Sequence, residues 1–395
     1  MGQENLGGLE PKAHADIFRA VNLIDSPSQL PAVAAALDGP RRIAIDLEAA
    51  GFHRYSDQVC LIQVSTETET FILDPLAVDL SGVLRGALED PKVEVLMHGG
   101  DYDLRLLDRD LGILPVRLFD TQVAAALTGE PAIGLSALLE KYVGVKLAKK
   151  YQRADWAARP LTEGMLAYAA ADTAHLHTLS DLMAEKLEAA GRMAWAQEEF
   201  ERMTQIRWVA ETEETDPVTR VKGARDLGVR ELERLRVCLA WRDEIGRARD
   251  KALFRVVGDG PLLEVAAGSP ASVSDLMNVK GFPGGLARSD GAELLARLDE
   301  ADRVPSGEIA PYPRPPRNGP GRATPEEEER IQRLKAVRNA RAEALDLPRG
   351  TVLPNSVLEA LGRAQPRTME EVADIEGIRR WQVETLGQAL LDSLR

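Results

Sequence analysis

The chain predicts an α/β domain built on a mixed sheet, followed by two small all-helical units. Three observations carry this. Short apolar runs alternate with amphipathic stretches from about residue 41 to about residue 209, as expected for strands covered by helices. No strand pattern continues beyond residue 217. The later helical regions repeat: Gly281 and Gly377 lie 96 positions apart, as do Arg242 and Arg338.

The elements follow in order. RRIAIDLE (41–48) is an apolar run ending in acids, a buried strand with polar groups at its C-terminal end. QVCLIQVST (58–66) and ETFILDP (69–75), joined by a polar turn, read as an antiparallel hairpin. VDLSGVLRGALED (78–90) is an amphipathic helix and KVEVLMHG (92–99) another buried strand. DYDLRLLDRDLG (101–112) is a helix stopped by Gly112. VRLFDT (116–121) is a short strand entering the helix TQVAAALTG (121–129), and GLSALLEKYVGV (134–145) opens a run of helices. ETEETDP (211–217) breaks the pattern. These signals set a first domain at 18–210, helical units at 217–302 and 326–395, and between them a Pro- and Gly-rich segment, 303–325, expected to be an extended linker. A duplicated unit serves either as a spacer or as a nucleic-acid-binding module, whose Gly turn offers backbone N–H groups to phosphate.

At 395 residues the chain calls for two to three domains. Its apolar fraction of 44% is that of a globular protein. No run approaches the ~18 apolar residues of a membrane span, and MGQENLGGLEPKAHAD lacks the basic start and apolar core of a signal peptide. Leu6 stands where N-myristoylation requires Ser or Thr. Cys60 and Cys238 read as buried free thiols, which points to a reducing cytoplasm. The net charge of −14 argues against indiscriminate polyanion binding. Segment 220–256, however, is rich in arginine and locally basic.

Five residues in three stretches stand out: Asp46 and Glu48 in IAIDLE, Asp103 in HGGDYDLRLL, and Tyr168 with Asp172 in LAYAAADTAHL. Asp46 and Glu48, two apart on a strand, share a face and could reach one metal ion, although acidic pairs are common at strand ends. Asp103 follows Asp101, the more natural helix cap, and is left in the first turn without a capping role. Tyr168 and Asp172 are stacked one helical turn apart, with only alanines between them. Each has a bland reading in packing or capping.

Taken in order, an acidic pair, a helix-opening acid and a Tyr-x-x-x-Asp helix resemble the exonuclease motifs of the DEDD superfamily, in its tyrosine branch. The stretch LLEKYVGVKLAKKYQRADWAARPLTEGMLAYAAADTAHL, with Asp155–Trp156 and Arg159–Pro160–Leu161, is similar to the most characteristic region of the ribonuclease D family, and VCLIQVS and FDTQVAAALTG fit as well. The paired helical units resemble HRDC domains. The resemblance implies a ribonuclease H-like exonuclease domain followed by two HRDC-like domains, in a monomer that removes nucleotides from RNA 3′ ends, with tRNA precursors as candidate substrates, and releases 5′-monophosphates. It implies two divalent cations, Mg²⁺ or Mn²⁺, about 4 Å apart. Asp46 would bridge both ions, Glu48 and Asp172 would bind the ion that activates water, and Asp103 would bind the ion beside the leaving oxygen, largely through water. Tyr168 would orient the attacking water. Gln63 and His98, near their strand ends, are candidate contacts to the terminal nucleotide. Arg54 and Tyr55, with His53, are candidates for the RNA backbone and a base. Trp156 and Arg159 read as supports of the fold. A DNA-preferring exonuclease remains an alternative, because both polymers present the same phosphate. An inactive RNA-binding scaffold is disfavoured by the intact acidic quartet.

Overall fold

The computed structural model describes residues 21–210, 215–313, 321 and 323–395. The features expected in residues 1–20, the start of the first domain at 18, most of the acidic ETEET and much of the Pro-rich segment lie outside the described residues.

Six strands form one mixed sheet: β1 (Val21–Ile24), β2 (Arg42–Ala49), β3 (Val59–Ser65), β4 (Thr70–Leu73), β5 (Glu94–Met97) and β6 (Leu118–Asp120), in the order β1-β4-β3-β2-β5-β6. The hairpins β2–β3 and β3–β4 are antiparallel, whereas β1–β4, β2–β5 and β5–β6 pair in parallel. β1 has no counterpart in the sequence reading. Four residues at a sheet edge carry too short a pattern to register, and β1 is placed by its parallel pairing with β4. Seen from β2, one sheet face is apolar: Ile45, Leu47, Ile62, Val64, Phe71 and Leu73 enter the main core. The opposite face carries Asp46 and Glu48, since alternate strand residues point to opposite sides.

Eight helices follow or interleave the strands: α1 (Leu30–Leu37), α2 (Ser81–Leu88), α3 (Asp101–Leu106), α4 (Thr121–Leu127), α5 (Leu135–Tyr142), α6 (Glu163–Ala174), α7 (Leu176–Ala189) and α8 (Met193–Met203). The helix expected over 101–112 is α-helical to Leu106 and continues as a wider turn to Leu111. Gly112, at φ 62°, closes it as foreseen.

Each helical unit has five helices. In the first they are α9 (Val229–Ala248), α10 (Leu253–Val256), α11 (Asp259–Gly268), α12 (Val273–Asn278) and α13 (Gly284–Arg303). In the second they are α14 (Pro325–Leu345), α15 (Arg349–Val352), α16 (Asn355–Ala364), α17 (Met369–Ala373) and α18 (Arg380–Leu394). Every helix starts 96 residues after its counterpart, so the repeat read from two residue pairs extends through the unit. The conserved pivot of the two copies is a buried arginine. Arg242 donates from Nη1 to the Val257 carbonyl (3.2 Å) and Asp259 (2.7 Å), and Arg338 donates to the Leu353 carbonyl (3.2 Å) and Asn355 (2.7 Å). These bonds tie the long first helix to the start of the third.

Two expectations change. The segment after Arg303 is not wholly an extended linker, because Ile309 is buried, Tyr312 packs on the first helical core and the Pro311 carbonyl accepts from Arg236. A few apolar side chains are enough to fold it back. The arginine-rich stretch 220–256 is also no free cationic strip. Arg234 pairs with Asp302, Arg236 with Asp216, Arg247 with Asp243 and Arg249 with Asp290, while Arg230 donates to the Ala301 and Val304 carbonyls. Asp216, Asp290 and Asp302 from outside the stretch and Asp243 within it offset four of its arginines.

Both units dock on the first domain. The first meets the loop after β2: the Ala252 N–H donates to the His53 carbonyl (3.0 Å), and Tyr55 donates to Asp243 (2.8 Å). The second meets α8, where Trp381 stacks on Trp195 (4.5 Å), Arg379 pairs with Glu199 (2.9 Å), and the Arg380 and Trp381 N–H groups hold Glu198 (2.7 and 3.0 Å). Replacing Arg338 by Leu leaves the Leu353 carbonyl buried without its donor. Calorimetry is expected to show the second unit destabilised by about 1–3 kcal/mol, and an unchanged transition would remove the arginine from its role as pivot.

Candidate active site

The sheet topology brings the three acidic stretches together. β2 and β5 run in parallel with Ala44 beside Leu96, so Asp46, Glu48 and the chain leaving β5 emerge at the same end. There Gly99, at φ +70°, and Gly100 turn the chain into α3. A Cβ on Gly100 would lie 2.7 Å from the Met97 side chain, so the turn admits nothing larger. Gly100 itself caps α3. Asp101, expected as the cap, pairs with Arg105 one turn on (3.1 Å), and Asp103 occupies the third helical position. The buried Asp120 fastens this corner. It accepts from the Gly100 N–H (2.9 Å) with one oxygen and caps α4 through the Gln122 and Val123 N–H groups with the other (2.9 and 3.0 Å).

α6 lies across the acidic face of the sheet. Ala169 and Ala170 are buried against it, and Thr173 shares a 2.8 Å hydrogen bond with Ser65 of β3. These small side chains let the helix approach closely enough to lower Asp172 onto β2. Tyr168 is held between two rings, Trp156 at 5.9 Å and Tyr151 edge-on at 6.2 Å. The Tyr151 hydroxyl fills the place a Cβ on Gly164 would take, only 2.4 Å from that position. Arg159 anchors the preceding loop by pairing with Asp74 (2.6 Å) and donating to the Cys60 and Trp156 carbonyls (2.9 and 2.7 Å). Tyr151 and Asp120 were not singled out in the sequence. A tyrosine in KLAKKYQR and an aspartate in FDTQ carry no signal beyond the ring contact and the Asp-x-x cap that the fold reveals.

The result is an acidic cluster. Ligand oxygens of Asp46, Glu48 and Asp172 all lie within 4.8 Å of one another. Asp103 stands outside this triple, yet close enough to feel it. Burial pushes Asp46 up to about 7. Glu48 rises to about 9, through burial and then the charges of Asp46, Asp172 and Asp103. Asp172 rises to about 8, through burial and then Asp46. Asp103 is held well above the carboxylate range by burial, Asp46 and Asp120. The Tyr168 hydroxyl is raised too, by burial and then Asp172, Glu48 and Asp46. Such a set is costly until a cation joins it, and its all-oxygen donors suit a hard divalent ion.

The four expected substrate contacts divide. Gln63 sits opposite Asp46 in the β2–β3 ladder, fully buried, with neither end of its amide hydrogen-bonded. His98 turns its Nδ1 to the Thr121 hydroxyl (2.8 Å), and burial lowers its pKa, so it is neutral. Arg54 and Tyr55, expected at the RNA, are instead engaged within the protein. Arg54 forks onto Asp155 (3.1 and 2.8 Å) and reaches Asp250 (3.3 Å), while Tyr55 bonds Asp243 and is covered by Arg247. Their loop is clamped by acids of α9 and its C-terminal turn, a pairing no local pattern announces.

Comparison with known proteins agrees with this geometry. A 3′–5′ exonuclease family model matches residues 21–188, and the HRDC domain model matches residues 231–298 and 327–394. Ribonuclease D of Gluconacetobacter diazotrophicus is 30% identical over 383 residues, covering 93% of this chain and 91% of the relative. The chain belongs to the ribonuclease D family. It is a 3′–5′ exoribonuclease carrying two HRDC domains. The solved ribonuclease D of Escherichia coli, described as an exoribonuclease involved in structured RNA processing, superposes with a TM-score of 0.67 at 28% identity, covering 95% of this chain and 98% of that one. A Bifidobacterium adolescentis protein superposes with a TM-score of 0.79 at 25% identity, covering 94% and 96%. Membership of this family implies use of a divalent metal, and the carboxylates present fit one.

The raised pKa values set a pH dependence. Each carboxyl titrates higher when folded than when unfolded, so the stability it lends is fully present below about pH 4, where the unfolded carboxyls titrate, and is lost as pH rises from there through the folded values of about 7 to 9. Chelated protein is therefore expected to melt at progressively lower temperature across that window, and saturating Mg²⁺ to restore the loss and release protons. Melting curves with chelator and with Mg²⁺ at several pH values check this, and identical profiles would contradict a metal-binding cluster.

Proposed function

We propose that the chain shortens RNA one nucleotide at a time from the 3′ end, releasing 5′-monophosphates, and that its substrates are structured RNAs such as tRNA precursors. The observation that carries the reading is the triple of Asp46, Glu48 and Asp172 with oxygens within 4.8 Å, in a fold whose Escherichia coli relative is described as processing structured RNA. Two divalent cations, Mg²⁺ or Mn²⁺, would be held by these residues and Asp103, supplying the charge that acidifies an attacking water and neutralises the leaving 3′-oxygen. Asp46 is assigned to both ions, because its charge acts on Glu48, Asp172 and Asp103 alike. Glu48 and Asp172 are assigned to the water side, and Asp103, outside the triple, to the leaving-group side.

Tyr168 keeps its proton, since its surroundings raise rather than lower its pKa. Its role is therefore to donate a hydrogen bond that orients the water, with the Trp156 and Tyr151 rings fixing its direction. The unpaired amide of Gln63 beside Asp46 supports a contact to the terminal nucleotide, and a neutral His98 supports a hydrogen-bonding rather than an ionic part. We assign the nuclease domain to 18–210 and the HRDC domains to 217–302 and 326–395; the separate apolar cores of the two helical units support this division. No helix among the described residues is long and apolar enough to cross a membrane. We assign a monomer, as the family resemblance implies, in the reducing cytoplasm that two buried free thiols suit.

The test uses 3′- and 5′-labelled RNA and DNA strands with Mg²⁺, Mn²⁺ or chelator. Stepwise loss from the RNA 3′ end is expected with metal alone, and equal or faster loss of DNA would favour a DNA exonuclease. Asp103→Asn is expected to abolish turnover with the fold intact, and full activity would reject its assignment. Tyr168→Phe is expected to slow the rate by at least about tenfold, ~1.4 kcal/mol of barrier.

A further inference from the structure

Two arginines at one corner of the molecule lie over aromatic rings rather than against acids. Most arginines of the first helical unit face carboxylates. Arg153 and Arg255 do not. They flank the Phe52 ring at 5.5 and 4.7 Å, and neither has an acidic partner among the described residues. Arg255 is tethered by donating from Nε to the Phe52 carbonyl (2.7 Å), and the Arg153 carbonyl meets His53 Nε2 (2.9 Å). Phe52 and Phe254 touch across the domain boundary with ring centres 5.4 Å apart, yet remain 38% and 54% exposed. Arg255 also reaches the Phe254 ring, at 5.7 Å.

Both nuclease-domain members of this corner lie a few residues along the chain from the site. Phe52 is four residues beyond Glu48. Arg153 is two residues beyond Tyr151, whose ring meets Tyr168. The internal repeat shows what the fold itself requires. The counterparts of Phe254 and Arg255, 96 residues on, are Gly350 and Thr351, and the second unit builds the same five helices without either side chain. Exposed aromatic rings beside unneutralised guanidinium groups, on a chain whose net charge is −14, are a local attraction for single-stranded nucleic acid: bases stack on the rings and phosphates meet the cations.

We propose that Phe52 and Phe254, with Arg153 and Arg255, form a track that holds the single-stranded RNA segment upstream of the last two nucleotides of the 3′ end. The choice of RNA as occupant rests on the exoribonuclease reading. The track joins the nuclease domain to the first HRDC domain, so binding RNA uses surface from both. It places the aromatic contact expected of Tyr55 on Phe52, three residues earlier in the same loop.

The full-length protein tests this in two assays. Fluorescence anisotropy with a labelled single-stranded RNA of about 12 nucleotides, in chelator, reads binding without turnover. Steady-state kinetics with Mg²⁺ compare the same RNA with a dinucleotide too short to reach the track. The double variant Phe254→Ala, Arg255→Thr is expected to weaken RNA binding about tenfold and to flatten its salt dependence by about one unit of slope. Its loss should appear in KM for the long RNA and exceed any loss on the dinucleotide by about tenfold. Phe254→Trp should bind like the parent. Unchanged anisotropy in the double variant would overturn the track. Parallel loss on the dinucleotide would assign the pair to supporting the active site, and full binding by Phe254→Leu would assign Phe254 to docking; either result also overturns it. Track-dependent binding without any shortening of RNA by the parent protein would instead defeat the exoribonuclease reading and leave the track standing.

Discussion

Mutual repulsion among carboxylates brought to one end of a sheet is the constraint around which the nuclease domain is arranged. Burial raises the proton affinity of Asp46, Glu48, Asp172 and Asp103, and the charge of Asp46 raises that of the other three further. Unaided, these groups would separate or protonate, so the surrounding structure has to hold them by contacts that the charges do not supply. β2 supplies two of them from a rigid, centrally paired strand. Asp120 fixes the turn that launches α3. The small face of α6, locked to β3 through Thr173 and Ser65, brings the last. A preorganised negative site of this kind favours a bound cation because its reorganisation is already complete before the ion arrives.

The same reasoning explains the neighbours that have no charge to contribute. Trp156, Tyr151 and the Arg159–Asp74 pair act on the position of Tyr168 and on the loop that enters α6. Among the described residues none of the four carboxylates is hydrogen-bonded to an arginine or lysine, while acids such as Asp74, Asp155 and Asp110 are. Acids reserved for a cation and acids that fasten the fold are thus distinguished by their partners.

Much of this was legible in the chain. The strands β2 to β6 follow from runs of apolar residues, and the acidic quartet from its order. What sequence could not supply was partnership at long range. Asp101 reads as a helix cap, but a glycine does that work and Asp101 pairs with Arg105. Arg54 and Tyr55 read as RNA contacts because their loop follows Glu48, but Asp155, Asp243 and Asp250, one hundred or more residues away in sequence, claim them. The basic stretch 220–256 reads as a phosphate strip until Asp216, Asp290 and Asp302 are folded against it. For Arg54 and Tyr55 the competing partner lay beyond any local window, whereas Asp101 is claimed one helical turn away by Arg105.

The duplicated helical units show how one scaffold serves two attachments. Both retain the arginine that binds a backbone carbonyl and an Asp or Asn at the start of the third helix, so the interior is preserved. Their surfaces have diverged where they meet the nuclease domain. In the second copy the turn into α18 carries Arg379 and Trp381, and its backbone N–H groups grip Glu198 of α8. In the first copy the equivalent turn is glycine-rich, with Gly284 and Gly285 at the helix start, and docking has moved to α9 and α10 against the loop after β2. That shift places an HRDC surface beside the acidic end of the sheet, at the strand that carries Asp46 and Glu48. The first copy is thereby fastened at the loop after β2, and the second is fastened through α8.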